Sequence, residues 1–248
     1  MRNLRLELEY DGTHYCGWQV QGRNSGRKRS IQEALEKTLC IILNEKIRTI
    51  VSGRTDAGVH ALGQVANFRV KSNIPLHRLK YALNCLLPKD ISVNDIKEVS
   101  ATFHSRFRAR SKTYRYAILN REHPSALSRN TAYFYPYPLN LSFMRREARC
   151  LIGSHDFKSF QAADKKERGS VRTIKKINIA KRGDFVYIDI QADGFLYNMA
   201  RNIAGTLIKI ARGKAERGSL KNILDSRDRK YAGPTAPAKG LTLLKVYY

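Results

Sequence analysis

The sequence is poor in the residues that build disulfide scaffolds and metal sites. Among its 248 residues only four are cysteine, three are methionine and one is tryptophan. The cysteines lie at positions 16, 40, 85 and 150, so no pair has the CxxC spacing of a zinc or redox motif. HExxH runs and EF-hand calcium loops are also missing. We therefore expect reduced thiols and no metal cofactor.

Long hydrophobic runs are missing as well. One of the longest, at positions 40–43, is far shorter than the roughly 20 apolar residues that cross a bilayer. Residues 1–5 lead into alternating charge and not into the apolar core of a secretory signal. These features predict a cytoplasmic chain that does not enter a membrane.

Acidic residues are heavily outnumbered. The chain has 46 Lys and Arg against 21 Asp and Glu, which gives a net charge of +25. The excess is spread along the chain, with 19 basic and 10 acidic residues up to position 110 and 27 and 11 beyond it. Such a charge favours a polyanionic partner. Nucleic acid is favoured over a membrane surface because no basic amphipathic helix has an aromatic apolar face. A generally basic proteome is the alternative.

The first half of the chain alternates between strand and helix patterns. Strict alternation at 4–10 predicts a half-buried strand. Ser30 begins a capping-box pattern, so a helix should follow it. Pro75 begins a second helix, with its leucines, including Leu79, Leu83 and Leu86, facing inward. Further strands are predicted at 48–52, 64–70 and 91–99.

The second half repeats this order of patterns. Strands are predicted at 112–119 and 241–247, a hairpin at 172–180 and 185–192, a helix capped by Ser142, and an amphipathic helix at 195–212. The chain is thus predicted to be α+β, with pseudo-repeated halves at 1–107 and 108–248. They would form a mixed or antiparallel sheet flanked by helices, with the active-site cleft between the halves.

The most unusual local sequence is SGRTDAGVH at 52–60, between two predicted strands. Its glycines allow tight backbone conformations and close approach to a ligand. A loop held by strands can present the carboxylate of Asp56 into a cleft. The alternative is a structural turn in which Asp56 bonds its own backbone. The local sequence leaves both open.

Five segments together resemble the tRNA pseudouridine synthase A family. They are YDGTHYCGWQVQ at 10–21, GRTDAGVHA at 53–61, FHSRF at 103–107, KTYRY at 112–116 and GFLYNMARNIAG at 194–205. The GRTDAGVHA run is highly specific, and the likeness extends from residue 4 to the last strand. The sequence departs from the family at Asn198, where many members have His, and at Ala200, where Val is expected. We assign neither residue a chemical role.

The resemblance implies an enzyme that converts uridine to pseudouridine in the anticodon stem-loop of tRNA, at positions 38, 39 and 40. It also implies a homodimer that uses no metal or organic cofactor. Asp56 matches the family's essential aspartate. A carboxylate suits attack on ribose C1′, attack on uracil C6, or proton abstraction from the ribose, and the sequence does not choose among these.

The resemblance also supplies the other candidate site residues. Arg201 would pair with Asp56 and keep it ionised, although a surface arginine that contacts phosphate is the alternative. Tyr114 would pack on the target uracil, and its hydroxyl could relay a proton near C5. Arg54 would occupy the space left by the flipped base.

Further substrate contacts are expected around the base. Phe103, Arg106 and Phe107 match a family segment that is linked to base flipping, and a plain basic strand edge is the alternative. Leu243 would be an apolar wall of the pocket unless it is ordinary core. The phosphates would be bound by basic side chains that carry no sequence information, for example Arg23, Arg27, Lys28, Arg29, Lys165, Lys166 and Arg168.

Two other functions remain open at this point. A catalytically inactive RNA-binding module is disfavoured because pure binding needs no carboxylate in a basic groove. A related pseudouridine synthase with a different RNA target is the second, and the compact length favours the tRNA enzyme over it.

Overall fold

The computed structural model describes residues 1–20, 29–163, 169–212 and 218–248. The backbone contacts divide the chain into two compact units. The first unit contains Met1–Arg110 and Leu243–Tyr248, and the second contains Ser111–Thr242. Each unit combines helices with β-strands, so the α+β class predicted from the sequence is confirmed.

The elements in chain order are β1 (Arg2–Tyr10), α1 (Ile31–Leu43), β2 (Ile50–Val51), β3 (His60–Val70), α2 (Leu76–Leu86), β4 (Ile91–Val99), β5 (Ser111–Leu119), β6 (Tyr133–Phe134), α3 (Leu141–Ala148), β7 (Gly153–Asp156), β8 (Val171–Arg182), β9 (Phe185–Ala192), α4 (Met199–Ala211), α5 (Ser219–Ser226) and β10 (Leu241–Tyr247). Short 3₁₀ turns lie at Arg149–Leu151, Lys158–Phe160 and Ala238–Gly240.

The strands of the first unit are ordered β4-β1-β3-β10, and β2 also pairs with β3. Alternation along β1 buries Leu4, Leu6 and Leu8 completely, at 0% exposure. Helix α1 begins as predicted, because the Glu33 amide donates to the hydroxyl of Ser30 at 3.1 Å. The loop between β2 and β3 extends from strands of this sheet.

Helix α2 buries only part of its predicted inward face. Leu79 and Leu83 are fully buried, whereas Leu86 is 55% exposed, so the prediction that Leu86 faces inward was wrong. The reason is that the helix ends at this residue. Leu87 turns into extended backbone and is buried in its place.

The second unit has the strand order β5-β9-β8-β7. β9 pairs antiparallel with both neighbours, and β6 pairs parallel with the end of β5, which makes the sheet mixed. Helices α3, α4 and α5 contact one another, and α4 contacts β5. The cap of α3 is Asn140, whose side-chain oxygen accepts from the Phe143 amide at 3.0 Å, and not Ser142 as predicted.

Within the described parts of the chain, no helix combines the length and the apolar character needed to cross a membrane.

Candidate active site

Asp56 lies in the loop of residues 52–59, here called the aspartate loop, which connects β2 to β3. Its side chain is half-buried, whereas Arg54 two residues earlier is exposed. The loop turns directly after Asp56, since the Val59 amide donates to the Asp56 carbonyl at 3.1 Å. Gly58 has a φ of +76°, which glycine adopts without the steric cost of a side chain. The backbone that follows the carboxylate is therefore held in a defined turn.

The YDGTHYCGWQ stretch packs against the backbone of the aspartate loop. A side chain at Gly12 would clash with the Val59 carbonyl oxygen, and a Cβ at Gly17 would lie 2.6 Å from the Thr55 carbonyl oxygen. The Trp18 amide donates to that same Thr55 oxygen at 3.0 Å. Two of the segments that carry the family resemblance thus form one rigid assembly, and its glycines are explained by close backbone approach.

A buried hydrogen-bond network supports the loop from β3. The side-chain amide of Gln64, a residue that is 0% exposed, accepts from the Ser52 hydroxyl at 2.7 Å and donates to the Gly53 carbonyl at 2.9 Å. It also donates to the phenol oxygen of Tyr10 at 3.3 Å, and that oxygen is 2.8 Å from the Thr55 hydroxyl. Burial raises the pKa of Tyr10 to about 12, so the phenol stays protonated.

Replacing Gln64 with leucine is expected to destabilise the protein by about 3 kcal/mol, because several buried polar groups would lose their partner. Urea unfolding measures the change. Gln191→Leu is the matched control, since the Gln191 amide makes one bond, to Ser111 at 3.1 Å, on a half-exposed strand position. Equal stability losses in the two variants would show that the network does not hold the loop.

Tyr114 belongs to the second unit and lies on β5. Its side chain is 7% exposed, and the ring of Phe195 meets it edge-on, with centroids 4.9 Å apart and planes at 78°. Tyr116, two residues on, is used differently, because its hydroxyl donates to the Pro237 carbonyl at 2.9 Å. Burial raises the pKa of Tyr116 well above its usual range. These contacts give Tyr116 a structural role.

Arg201 lies in the first turn of α4. The sequence predicts a helix from position 195, but α4 begins at Met199, because Asn198 adopts the left-handed conformation with a φ of 59°. The Arg201 guanidinium donates from Nε to the Ala236 carbonyl at 2.8 Å and from Nη1 to the side-chain oxygen of Asn198 at 3.0 Å. Asn198 was not predicted as a site residue, although its departure from the family pattern was a signal.

The 103–107 segment combines an anchored part with an exposed part. Ser105 is buried, and its amide and hydroxyl donate to the side-chain oxygen of Asn67 at 2.9 and 2.7 Å. Phe103 is half-buried and packs on Tyr248, with ring centroids 5.0 Å apart. By contrast Phe107 is 76% exposed.

Two other side chains of this segment lie beside Phe107, the half-buried His104 and the exposed Arg106. The His104 ring stacks on Phe107 with centroids 4.2 Å apart. The Arg106 guanidinium lies 5.7 Å from the Phe107 ring centroid. An exposed aromatic ring next to a cation suits contact with RNA bases and phosphates.

Leu243 lies on β10 and is 0% exposed, in the core of the first unit. Its role as a wall of the uracil pocket stays a prediction. Among the basic side chains expected to contact phosphate, Arg29 is exposed. The others named for that role lie outside the described residues: Arg23, Arg27, Lys28, Lys165, Lys166 and Arg168.

The described residues contain no group of three or more His, Cys, Asp or Glu side chains that could hold a metal ion. The first unit offers a carboxylate on a rigid loop beside an exposed arginine. The second unit offers a phenol packed on an aromatic ring and a guanidinium aimed by two acceptors. These are groups for nucleophilic attack, base stacking and charge stabilisation.

Comparison with known proteins gives a consistent set of relatives. A family model described as tRNA pseudouridine synthase matches residues 8–108 and 148–248. A protein named tRNA pseudouridine synthase A from Acetivibrio thermocellus is 45% identical over 248 residues, which is 100% of both chains. One named tRNA pseudouridine synthase A 2 from Clostridium perfringens is 46% identical over 248 residues, again covering 100% of both. A tRNA pseudouridine synthase A from Geotalea daltonii is 42% identical, with the same coverage.

Proposed function

Since the chain belongs to the tRNA pseudouridine synthase family, whose members isomerise uridine to pseudouridine in tRNA, we propose that it modifies uridines 38, 39 and 40 of the anticodon stem-loop and that Asp56 initiates the reaction. The observation that carries this proposal is the aspartate loop. Asp56 is the one acidic residue of the GRTDAGVHA run, and the loop is held by the YDGTHYCGWQ stretch and by Gln64.

The reaction fits the side chains that the chain offers. Pseudouridine formation breaks the bond from N1 to C1′ and forms one from C5 to C1′, while C5 loses a proton and N1 gains one. Product and substrate are isomers, so no external oxidant or reductant is consumed. An ordinary aspartate is ionised near neutral pH and can act as a nucleophile or a base. Attack on C1′, attack on C6 and proton abstraction from the ribose remain the three routes.

Two residues of the second unit complete the proposed machinery. Arg201 would be the counter-charge that keeps Asp56 ionised, since a guanidinium has five donors and can hold two acceptors of its own unit while pairing with a carboxylate. Tyr114 would stack on the uracil and relay a proton at C5 through its hydroxyl. The edge-on contact with Phe195 supports this role, because it fixes the plane of the Tyr114 ring.

Binding of tRNA is proposed to use the charge of the chain and the exposed part of the 103–107 segment. Arg54 would fill the space vacated by the flipped base, while Arg106 and Phe107 would contact the displaced nucleotides. Phe103, packed on Tyr248, would anchor this segment.

Replacing Phe107 with alanine is expected to weaken tRNA binding by about 1–3 kcal/mol, the usual contribution of one aromatic ring stacked on a base. Filter binding or fluorescence anisotropy with tRNA measures the change. Tyr81→Ala is the matched control, since Tyr81 is 74% exposed on α2 of the same unit. Equal affinities of the Phe107→Ala and Tyr81→Ala proteins would remove Phe107 from the RNA interface.

Binding is also expected to weaken steeply as salt rises, because a net charge of +25 implies several phosphate contacts. Each contact releases condensed counterions, so log K should fall against log salt with a slope of several units. Titration of tRNA at a series of KCl concentrations measures the slope. A nearly flat response would contradict electrostatic binding.

The resemblance further supports a cytoplasmic homodimer, which we include in the proposal. Light scattering of the purified protein tests the dimer directly. A monomer at micromolar concentration would remove that part of the proposal and leave the chemistry untouched.

Mapping pseudouridine in tRNA from cells that lack this chain tests the function. We expect uridine in place of pseudouridine at positions 38, 39 and 40, and restoration of pseudouridine by the wild-type gene. Loss of pseudouridine from another RNA would favour the related synthase with a different target. Unchanged pseudouridine in every RNA, together with tight tRNA binding, would favour the inactive RNA-binding module.

A further inference from the structure

We infer that Asn198 is a positioning residue for Arg201: together with the Ala236 carbonyl it fixes the guanidinium before substrate binds. The inference rests on the proposed function, in which Arg201 belongs to the catalytic machinery. Its basis is a pair of acceptors, one on each side of the guanidinium, and each acceptor is held by its own part of the second unit.

The first acceptor is held by backbone conformation. Asn198 has a φ of 59° and a ψ of 7°, and its own carbonyl accepts from the Asn202 amide at 2.9 Å. Asparagine is among the few residues with a side chain that adopt this conformation readily. The conformation lets Asn198 end the preceding loop, start α4 and turn its side-chain oxygen to Nη1 of Arg201, 3.0 Å away.

The second acceptor is held by the close packing of residues 233–236 on α4. A side chain at Gly205 would clash with the Pro234 carbonyl, so the segment touches the helix backbone. The Gly233 amide donates to the Thr206 hydroxyl at 2.8 Å, and the Ala236 amide donates to the Arg201 carbonyl at 3.2 Å. The Ala236 carbonyl that receives Nε of Arg201 is therefore fixed to the helix that carries Arg201.

One more hydrogen bond, to a buried side chain of α4, fixes this segment. The Thr235 hydroxyl donates to the side-chain oxygen of Asn202, which is 0% exposed, at 2.7 Å. Nε and Nη1 lie on different sides of the guanidinium, so two fixed acceptors define its plane as well as its position. A preorganised cation stabilises charge in the transition state without reorganising at the moment of reaction.

The test removes the Asn198 acceptor while keeping the backbone conformation. Asn198→Gly tolerates the positive φ but has no side chain to accept from Arg201. We expect its single-turnover rate on a tRNA transcript to fall roughly 10-fold to 100-fold, with tRNA affinity unchanged. Asn198→His, which keeps a ring nitrogen as acceptor, should recover most of the rate. The matched control is Asn44→Gly, because Asn44 also has a positive φ, of 51°, and is exposed at the end of α1.

Combining Asn198→Gly with Arg201→Ala shows whether Asn198 acts through Arg201. We expect Asn198→Gly to have no further effect on the rate once Arg201 is replaced, so that the double variant is as slow as Arg201→Ala alone. Equal losses caused by Asn198→Gly in the two backgrounds, or a wild-type rate for Asn198→Gly, would overturn the inference and leave the proposed function in place. A wild-type rate for Arg201→Ala would overturn the proposed role of Arg201, and the inference with it.

Discussion

Asp56→Asn is expected to abolish pseudouridine formation while tRNA still binds. The amide has the shape of the carboxylate but lacks its charge and its nucleophilic oxygen. A loss of at least about 10⁴ in rate, more than about 5 kcal/mol of barrier, is the expected scale. Single-turnover assays at saturating enzyme measure it, because they separate chemistry from binding and product release.

The control for this variant is Asp95→Asn in the same unit. The Asp95 carboxylate pairs with Lys97 at 3.1 Å on β4 and is 39% exposed, so its removal should leave the rate unchanged. Substantial turnover by the Asp56→Asn protein would exclude Asp56 as the group that initiates the reaction. If the Asp56→Asn protein lost both turnover and tRNA binding, the aspartate loop would have a structural role.

Tyr114→Phe is expected to lower the single-turnover rate by roughly 10²–10⁴ with nearly unchanged tRNA affinity, because it removes the hydroxyl that relays the C5 proton and keeps the stacking ring. Tyr114→Ala should in addition lose about 1–3 kcal/mol of base binding. The phenylalanine can keep the edge-on contact with Phe195, since the ring remains in place.

Tyr187→Phe on β9 is the matched control, because it removes a hydroxyl from a half-buried tyrosine of the same unit. Its rate should match the wild type. A Tyr114→Phe enzyme within a few-fold of the wild type would leave Tyr114 as a stacking platform without a role in proton transfer.

Local patterns in the sequence were sufficient for much of the fold. The ends of β4 and β10 agree with the predicted 91–99 and 241–247, and Ser30 caps α1, because alternation and capping depend on neighbouring residues. The start of α4 could not be found in this way. Apolar spacing continues through 195–198, and only the conformation of Asn198 shows that the helix begins later. The grouping of Leu243–Tyr248 with the first unit depends on pairing between distant strands, which leaves no local signal.

The candidate site, too, could be predicted from the sequence only in part. The GRTDAGVHA run identified Asp56 from sequence, but the residues that hold it are joined through long-range contacts. Gln64 bonds Gly53 and Tyr10, which are 11 and 54 positions away. Gln64 is the first residue of the predicted strand 64–70, a position that gives no local sign of these bonds. Asn198 was visible only as a departure from the family pattern, and its bond to Arg201 gives that departure a physical meaning.

The most direct test is position-resolved mapping of pseudouridine on a purified, unmodified tRNA transcript with uridines at positions 38, 39 and 40. The transcript is treated in parallel with the wild-type protein and with Asp56→Asn. With the wild type we expect pseudouridine at these three positions and nowhere else in the transcript, and with the variant we expect none. Modification at other positions would contradict the proposed specificity, and equal modification by Asp56→Asn would contradict the proposed role of Asp56.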